Sequence, residues 1–397
     1  MTGARVLFLS EKLPLPIRGG RDMRVWPHVI AAARQGAVAV FGLHPQPPAP
    51  PPLHGIDVWC SSADPTLTRA LSGPEALQWL RDPKASPADQ YLTETSAREV
   101  DEILGTFRPD VAVLEGVFLH RYIPLLLDAG CRLVVDCHNV EATLEHDVAS
   151  LTTPHEKLIR RKWAERLHDI ENDTLAAADR IWATSDVDAG KLVELYKPAA
   201  PVTVVPNAVD VESYPEAHGN PLDLVFPASF GSVANNQAAG FLVDDVLPLL
   251  ARTCGPKQQP RLTLVGARPP AELTAMATID PRVVVPGVVD DIRPFLADAG
   301  AMPIPLMAGS GTRFKALEAF ASQLPVVSTA IGVDGLEVVD GVHYLKAESA
   351  AEFVDQLLRL RDPAVRAPIA AAARHLVEER YSWTLVTRLV MAELGLL

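Results

Sequence analysis

Short apolar runs recur along this chain, and each is followed by a stretch whose apolar positions repeat at helical spacing. A run that is apolar throughout is typical of a strand inside a parallel sheet, because helices cover both faces of such a sheet. The strands predicted in the first half are Val6–Ser10, Ala37–Leu43, Asp110–Leu114, Arg132–Asp136, Arg180–Thr184 and Val202–Pro206. Strands that alternate with helices in this way predict a doubly wound α/β fold.

The same alternation begins again in the second half of the chain. Its predicted strands are Asp223–Phe226, Arg261–Val265, Val283–Val285, Ala301–Pro305 and Pro325–Thr329. A chain of 397 residues is too long for one ordinary hydrophobic core. We therefore predict two doubly wound domains, residues 1–206 and 207–380, followed by a terminal segment, residues 381–397.

A glycine-rich stretch after the fourth strand of the second half carries the main chemical prediction. Gly309, Ser310 and Gly311 can form a turn whose amides point into one concavity, and Thr312 is a candidate N-cap for a helix over residues 313–322. Cations in a first helical turn oppose the helix dipole, so Arg313 and Lys315 indicate an anionic ligand in front of them.

Glu318 lies farther along the same helix and offers two acceptors to hydroxyl groups. Together with the turn and the cations, it suits a sugar nucleotide, with the diphosphate at one end and the ribose diol at the other. A second glycine loop, Gly332–Gly335, follows the next predicted strand and would converge on the same site. The alternatives are an ordinary strand–loop–helix junction and a salt bridge from Glu318 to Lys315 or Arg313.

Two other places carry polar residues or glycines that could contact a ligand. His138 and Asn139 follow a predicted central strand, where a ligand contact and a histidine tied to backbone in a turn are both open. Gly19 and Gly20 precede a predicted helix over residues 24–35, and either a close ligand approach or a plain turn would explain them.

The Asp-x-Asp sequence at Asp186 and Asp188 is the motif most suggestive of a metal site. Ser185 is a natural N-cap, and the two aspartates fall in a first helical turn, where the helix dipole favours them. Helix capping is therefore the favoured explanation. We predict no metal site.

Residues Gly309–Gly335, taken with Val204–Asp210, resemble the C-terminal half of a GT-B glycosyltransferase of family 4. That family commonly shows a glycine turn, a basic pair, Glu-Ala, Pro-Val-Val-Ser and a second glycine loop. The resemblance implies the GT-B fold: two Rossmann-like domains facing a cleft, with residues 381–397 crossing back to the first domain. This chain has Ser310 where the family often has the first of two glutamates.

The resemblance implies a retaining transfer from a UDP or GDP sugar, with no metal and no cofactor. The residues implied for the donor are the turn Gly309–Thr312, Glu318 on the ribose, and Val288 and Val289 near the base. Arg313 and Lys315 would neutralise the leaving diphosphate, and His138 would position the sugar. Gly19, Gly20 and Asn139 would face the donor or acceptor.

Two other functions stay open beside a transferase. One is a sugar-nucleotide epimerase of similar build, and the other is a non-catalytic sugar-nucleotide binding subunit, which Ser310 encourages. The acceptor (a glycan, a lipid or a small molecule) and the oligomeric state are left open by the sequence.

Charge and composition narrow the cellular setting. A net charge of −13 argues against nucleic acid as the main partner, because phosphate binding needs a basic face. The four cysteines lack metal-ligand spacing and are expected to be buried free thiols. We see neither a signal peptide nor a spanning segment and expect a cytoplasmic protein. The basic run Lys157–Trp163 leaves peripheral membrane contact open beside a solvated helix face.

Overall fold

The computed structural model describes residues 3–45, 55–68, 77–82, 85–309 and 313–395. The chain forms two compact units. The first contains Met1–Glu145, Ile159–Pro206 and Val386–Leu397, and the second contains His146–Leu158 and Asn207–Leu385. Both units are built from parallel strands alternating with helices, so the predicted α/β class is confirmed.

A seven-stranded parallel sheet forms the centre of the first unit, in the order β3-β2-β1-β4-β5-β6-β7. Its strands are β1 (Val6–Ser10), β2 (Val38–Gly42), β3 (Val58–Ser61), β4 (Val111–Glu115), β5 (Arg132–Cys137), β6 (Arg180–Ala183) and β7 (Val202–Val204). Val6 is paired with Val38 on one side and Val111 on the other, and every residue of β1 is buried. The apolar runs thus identify the middle of this sheet, as expected for strands covered on both faces.

Helices and short 3₁₀ turns cover this sheet. The α-helices are α1 (Gly20–Ala33), α2 (Glu94–Phe107), α3 (Ile123–Asp128), α4 (Glu141–Ala149), α5 (Pro154–Ala176) and α6 (Asp186–Tyr196), and the 3₁₀ turns are Pro65–Thr68, Gln78–Arg81, Pro87–Tyr91 and Val117–Tyr122. Helix α1 begins at Gly20 rather than near Arg24. Its first turn is fixed early because the Asp22 carboxylate accepts the backbone N–H of Arg18 at 2.9 Å and the Lys12 ammonium at 3.0 Å.

Two polar residues cap helices of the first unit. Ser185 caps α6, and its hydroxyl accepts the backbone N–H of Asp188 at 3.1 Å, so the capping interpretation of this Asp-x-Asp sequence is confirmed. Glu171 of α5 caps α4: its buried carboxylate accepts the backbone N–H of Glu141 at 2.6 Å and the Tyr196 hydroxyl at 2.6 Å. The helix ends are therefore held by side-chain acceptors, as unpaired first-turn amides require.

The second unit contains two three-stranded parallel sheets, β10-β9-β8 and β11-β12-β13. A parallel bridge between Leu224 and Ala301 joins them. The strands are β8 (Asp223–Pro227), β9 (Arg261–Val265), β10 (Val283–Gly287), β11 (Met302–Ile304), β12 (Val326–Ser328) and β13 (Leu345–Lys346). All of the strands predicted in this half are therefore present.

The helices of the second half are α7 (Val233–Phe241), α8 (Leu247–Cys254), α9 (Ala271–Ile279), α10 (Arg293–Ala297), α11 (Phe314–Ala321), α12 (Ala350–Arg359), α13 (Pro363–Arg380) and α14 (Trp383–Gly395), with a π-helical turn at Leu242–Val246 between α7 and α8. From Val386 onward, α14 belongs to the first unit, where the Gln35 amide donates to the Met391 carbonyl at 2.7 Å. Within the described residues, no helix is long and apolar enough to cross a membrane.

The cysteine prediction is confirmed for two of the four residues. Cys131 and Cys137 are buried free thiols, whereas Cys60 and Cys254 are free but only partly buried. Burial raises the pKa of the Cys137 thiol well above its usual value, and the nearby Glu171 and Asp136 carboxylates add to this effect. A neutral, unreactive thiol at Cys137 follows.

Candidate functional site

Helix α11 and the loops beside it form the first group of candidate residues, which we call the α11 cluster: Gly309, Arg313, Lys315 and Glu318. Strands β11 and β12 are neighbours, with Pro303 paired to Val327, so the loops that follow them leave the same edge of the sheet. The Arg313 Nε atom donates to the Ile331 carbonyl at 3.3 Å and thereby connects the two loops. The predicted convergence of the two glycine loops is present in the second unit.

The backbone conformation at position 309 favours glycine, and the Arg313 side chain fills the space where a Cβ atom would lie. Gly309 has φ of +147°, a conformation that L side chains rarely adopt, and a Cβ atom there would lie 2.2 Å from Arg313 Nη2. The guanidinium therefore packs directly against this backbone. Ser310, Gly311 and Thr312, the rest of the predicted turn, lie outside the described residues.

The start of α11 differs from the prediction. The helix begins at Phe314 rather than Arg313, and Arg313 itself occupies the N-cap position without a side-chain capping bond. Arg313 adopts an extended conformation there, and its side chain reaches Ile331 and the backbone of Gly309. The predicted helix start at Arg313 is therefore wrong by one residue, and the first cation belongs to the loop rather than to the helix.

Lys315 projects from the first turn of α11 onto two neighbours. Its ammonium donates to Asn235 Oδ1 at 3.0 Å and lies 4.1 Å from the centre of the Phe226 ring, a distance suited to a cation–π interaction. Burial, and then the positive charge of Arg313, lower the pKa of Lys315 to about 7. The ammonium is thus poised to gain stability from an anion, because it already titrates near neutral pH.

Glu318 is the carboxylate of the cluster, and its partner is a tyrosine. The Tyr214 hydroxyl donates to Glu318 Oε1 at 3.0 Å, so this partner is neither of the cations that we expected in the alternative explanation. Burial raises the pKa of Glu318 to about 7, and the Tyr214 hydrogen bond and Lys315 oppose that rise. One carboxylate oxygen is held by the protein, and the group retains further acceptor capacity for a ligand.

The loop that follows β10 contains Val288 and Val289, the residues predicted to lie near the nucleotide base. Val288 is 68% exposed, and Val289 is partly buried. Farther along this loop, Arg293 forms a salt bridge with Asp291 at 2.8 Å, and its Nη1 donates to the Ser213 carbonyl at 3.4 Å. An open pocket of about 440 Å³ lies here, lined by Glu212, Ser213, Tyr214, Pro215, Asp291, Arg293 and Pro294.

The first unit holds the other candidate, His138, within a buried group of charged residues. His138 Nε2 lies 3.0 Å from Glu115 Oε2 and 3.4 Å from Asp136 Oδ2. Two guanidinium nitrogens of Arg24, on α1, contact the Asp136 carboxylate, one of them at 2.8 Å. The third donates to the Val205 carbonyl at 2.8 Å. His28, one turn farther along α1, packs its ring edge-on against Trp182.

Electrostatics fix the charges in this group. Burial alone would raise the pKa of Asp136, but Arg24 and then the hydrogen bond from His138 hold it well below its usual value. Burial lowers the pKa of His138, yet hydrogen bonds to Asp136 and Glu115 outweigh it, so this pKa is raised. The buried Asp136 carboxylate therefore lies beside the Arg24 guanidinium and a His138 ring whose protonated form is favoured.

Among the described residues, His28, Glu115 and Asp136 are three whose ligand atoms lie within 4.8 Å of one another, as a metal site would need. The guanidinium of Arg24 already occupies both oxygens of Asp136. An added dication would have to compete with this buried cation. The geometry thus favours an ion-paired network over a metal centre.

The remaining predicted residues lie near the same end of the first sheet. Asn139 donates through its amide to Glu141 Oε1 at 2.9 Å, which ties it to the start of α4. Gly19 is the N-cap of α1 and Gly20 its first residue, and a Cβ on Gly19 would touch nothing. The turn itself therefore does not require glycine at position 19, because the space beside its backbone is open. The contact roles predicted for these three residues stay predictions.

Sequence reasoning missed several residues of both groups. Arg24 and His28 are polar residues four apart on an otherwise apolar helix face, and Asp136 directly precedes a strand end, so each could have been found from the buried-face pattern. Tyr214 and Phe226 had no such pattern. Their contacts are made across the fold rather than along one helix.

Two family models match this chain. One is described as "Glycosyl transferases group 1" and matches residues 222–362, and the other is described as "Glycosyltransferase Family 4" and matches residues 53–213. Curated relatives include D-inositol 3-phosphate glycosyltransferases of Saccharomonospora viridis (29% identity, 55% of this chain and of the relative) and Actinosynnema mirum (31% identity, 57% of this chain and 59% of the relative). The match thus spans little more than half of these relatives.

Solved structures share the fold over almost the whole chain. Sucrose-phosphate synthase from Thermosynechococcus elongatus has a TM-score of 0.76 at 17% identity, covering 99% of this chain and 98% of that one. The Anabaena protein HepE in complex with UDP has a TM-score of 0.64 at 14% identity, covering 99% and 100%. HepE was also solved in complex with UDP-glucose. The fold predicted from the sequence, GT-B, is confirmed.

Proposed function

We propose that this chain, which belongs to the family 4 glycosyltransferases of group 1, is a sugar transferase. It transfers a sugar from a nucleoside diphosphate sugar to an acceptor hydroxyl or amine. The observation that carries this proposal is the α11 cluster. Arg313 at the N-cap position, followed by Lys315 and Glu318 on the helix, places two cations and a carboxylate along one loop–helix junction, where the Arg313 guanidinium packs against the Gly309 backbone. The complexes of HepE with UDP and UDP-glucose favour UDP as the nucleotide, with GDP as the alternative.

In this proposal, Arg313 and Lys315 contact the diphosphate, and Glu318 accepts the ribose hydroxyls. The charge on the diphosphate grows as the glycosidic bond breaks, and the two cations stabilise it most at that point. Gly309 and the following turn, Ser310, Gly311 and Thr312, complete the donor site, with Val288 and Val289 near the base.

We assign His138 to hydrogen bonding with the transferred sugar. Asp136 and Glu115 raise the pKa of His138 and so favour the protonated ring, which can donate a hydrogen bond. The acceptor proton passes to the departing phosphate, and the anomeric configuration is retained. Gly19, Gly20 and Asn139 contact donor or acceptor.

No divalent metal takes part in the proposed reaction, since the cations of the α11 cluster supply the positive charge. The chain would act in the cytoplasm on a glycan, lipid or small-molecule acceptor. A chelator such as EDTA should leave turnover unchanged. Activity lost with EDTA and restored by Mg²⁺ or Mn²⁺ would contradict this part of the proposal.

A thermal-shift panel tests the donor class directly. UDP- and GDP-sugars should raise the melting temperature, because a ligand that binds only the folded state stabilises it. Turnover with and without acceptor then separates the enzyme classes. Release of nucleoside diphosphate only with acceptor supports a transferase, whereas release or sugar inversion without acceptor indicates an epimerase, and binding without turnover indicates a binding subunit.

The affinity for UDP-glucose should be highest near pH 7 and fall on both sides. Above that pH Lys315, whose pKa is about 7 without ligand, loses its charge; below it, Glu318, also with a pKa of about 7, is protonated and accepts poorly. Each limb should approach about tenfold per pH unit, the limit for one proton. Calorimetric titration between about pH 5 and 9 measures this profile.

Two variants identify the limbs of that profile. Lys315→Met should lose the alkaline limb and keep the acid one, and Glu318→Gln should do the reverse. UDP-glucose is the suitable probe because its diphosphate has no terminal phosphate that titrates in this range. A flat wild-type profile would show that neither group meets the nucleotide.

A further inference from the structure

Tyr214 occupies a place in the second unit that the proposed roles leave unassigned. It follows the short 3₁₀ turn Val211–Ser213, and its ring lines the open pocket beside Arg293. Its hydroxyl reaches Glu318 Oε1 at 3.0 Å, although the two residues are 104 positions apart in the chain. A residue remote in sequence thus contacts the carboxylate proposed for the ribose.

The segment that carries Tyr214 is fixed independently of Glu318. The Ser213 hydroxyl donates to the Asp210 carbonyl at 2.7 Å, and the Ser213 carbonyl accepts from Arg293 Nη1 at 3.4 Å. Arg293 is itself oriented by Asp291, with contacts of 2.8 to 3.0 Å. The backbone turn from which the Tyr214 side chain projects is therefore held by these contacts.

The hydrogen bond has a direction that matters for a ligand. A tyrosine hydroxyl donates one proton, so the Glu318 oxygen it contacts must accept, which favours the ionised carboxylate. With Oε1 held, rotation of the carboxylate is restricted. Oε2 and the remaining lone pair of Oε1 then point in defined directions, which is the arrangement that two adjacent hydroxyls require.

We propose that Tyr214 is a positioning residue for nucleotide recognition: its hydroxyl orients Glu318 so that the carboxylate distinguishes a ribonucleotide from a 2′-deoxyribonucleotide. This inference rests on the proposed function and goes beyond it, because it assigns sugar discrimination to a residue outside α11. Tyr214 itself need not touch the nucleotide. Its contribution passes through Glu318.

The test compares UDP with 2′-deoxy-UDP, and GDP with 2′-deoxy-GDP, by calorimetric titration. The wild-type protein should prefer the ribonucleotide. Tyr214→Phe, which keeps the ring and removes only the hydroxyl, should reduce that preference about fivefold, the effect of one ordinary hydrogen bond. It should also move the acid limb of UDP-glucose affinity to higher pH, because the ionised form of Glu318 loses a donor.

Tyr196→Phe provides a matched control. Tyr196 donates to the buried carboxylate of Glu171 at 2.6 Å, the same kind of bond, but in the first unit. Its removal should leave the ratio of ribo- to deoxyribonucleotide affinity unchanged. A Tyr214→Phe, Glu318→Gln double variant should show no further loss beyond Glu318→Gln alone, since both changes would remove one coupled interaction.

The outcomes separate this inference from the function on which it rests. A Tyr214→Phe protein that keeps the wild-type preference and pH profile overturns the role of Tyr214 and leaves the donor site in place. A wild-type protein that binds UDP or GDP without preference overturns the inference, together with the ribose contact proposed for Glu318, and leaves the transferase function in place. If the wild-type protein binds neither nucleotide, the proposed function and the inference both fail.

Discussion

Replacing Arg313 and Lys315 together with alanine should eliminate measurable binding of UDP and GDP while leaving the second unit folded. Each cation is proposed to make a charge-assisted hydrogen bond to the diphosphate, and loss of one such bond costs about 1.5–3 kcal/mol, or about 10- to 150-fold in affinity. The two residues lie beside each other, so their losses need not add. Calorimetric titration of single and double variants measures both.

The Lys315 change should have a second, opposite effect on the protein without ligand. Burial and Arg313 oppose the charge on Lys315, so the folded state binds this proton less strongly than the unfolded chain does. Lys315→Met should therefore raise stability at neutral pH, by about 0.5–2 kcal/mol as for other substitutions that relieve strain at functional sites. Higher melting temperature with lost nucleotide binding is the expected combination.

Arg282→Ala provides the control for charge alone. Arg282 lies in the second unit and forms a salt bridge with Asp280, outside the α11 cluster. Its removal should leave nucleotide affinity within about twofold, since rim and remote charges contribute little to affinity. Equal losses in Arg282→Ala and Arg313→Ala would point to a general charge effect rather than to a diphosphate site.

Replacing Arg24 with methionine should destabilise the first unit by about 3–5 kcal/mol, because it leaves the Asp136 carboxylate buried without its main partner. Arg24 is 2% exposed and Asp136 is fully buried, so solvent cannot compensate. The double variant Arg24→Met, Asp136→Leu removes both charges and should recover much of the loss. Differential scanning calorimetry of the intact chain measures these changes.

An exposed pair in the same unit is the matched control. Arg5 and Asp110 form a salt bridge of 3.5 Å, with 44% and 45% of their side chains exposed. Arg5→Met should cost no more than about 1 kcal/mol, the range for solvated ion pairs. If Arg24→Met destabilised the protein no more than Arg5→Met does, the residues around His138 would not form a buried ion-paired network.

The pH dependence of this network has opposite signs at its two ends. The pKa of Asp136 is depressed, so its contribution to stability is present above the pKa of the unfolded carboxyl and is lost as pH falls through the folded value. The pKa of His138 is raised, so its contribution is complete below the unfolded pKa and is lost as pH rises through the folded value.

The hydrophobic pattern of the sequence was sufficient to predict strands that are buried on both faces. It was less informative for strands at the edges of the sheets. The central strands β1, β4 and β5 each contain a run of consecutive apolar residues and were located to within a residue or two. Strand β3 was not predicted, because its apolar run is short and all four of its residues are only partly buried at the sheet edge. Helix α1 begins earlier than expected because Asp22 in its first turn accepts the backbone N–H of Arg18 and the Lys12 ammonium.

The residues of the candidate site also divide into those that the sequence could group and those that it could not. The sequence could group Arg313, Lys315 and Glu318, because they lie close together in the chain along one loop and helix. Tyr214 and Glu318 are separated by 104 positions, and Arg24 and Asp136 by 112. Such pairs depend on how strands and turns meet in space, which no local spacing encodes.

Transfer of labelled sugar from UDP-[¹⁴C]glucose, measured on the wild-type protein and on Arg313→Ala, Lys315→Ala, tests the central claim most directly. The acceptor panel should include glycan, lipid and small-molecule acceptors; GDP-mannose serves as the second donor. We predict acceptor-dependent product with the wild-type protein and none with the folded double variant. Equal product formation by both proteins would show that the α11 cluster is not the donor site.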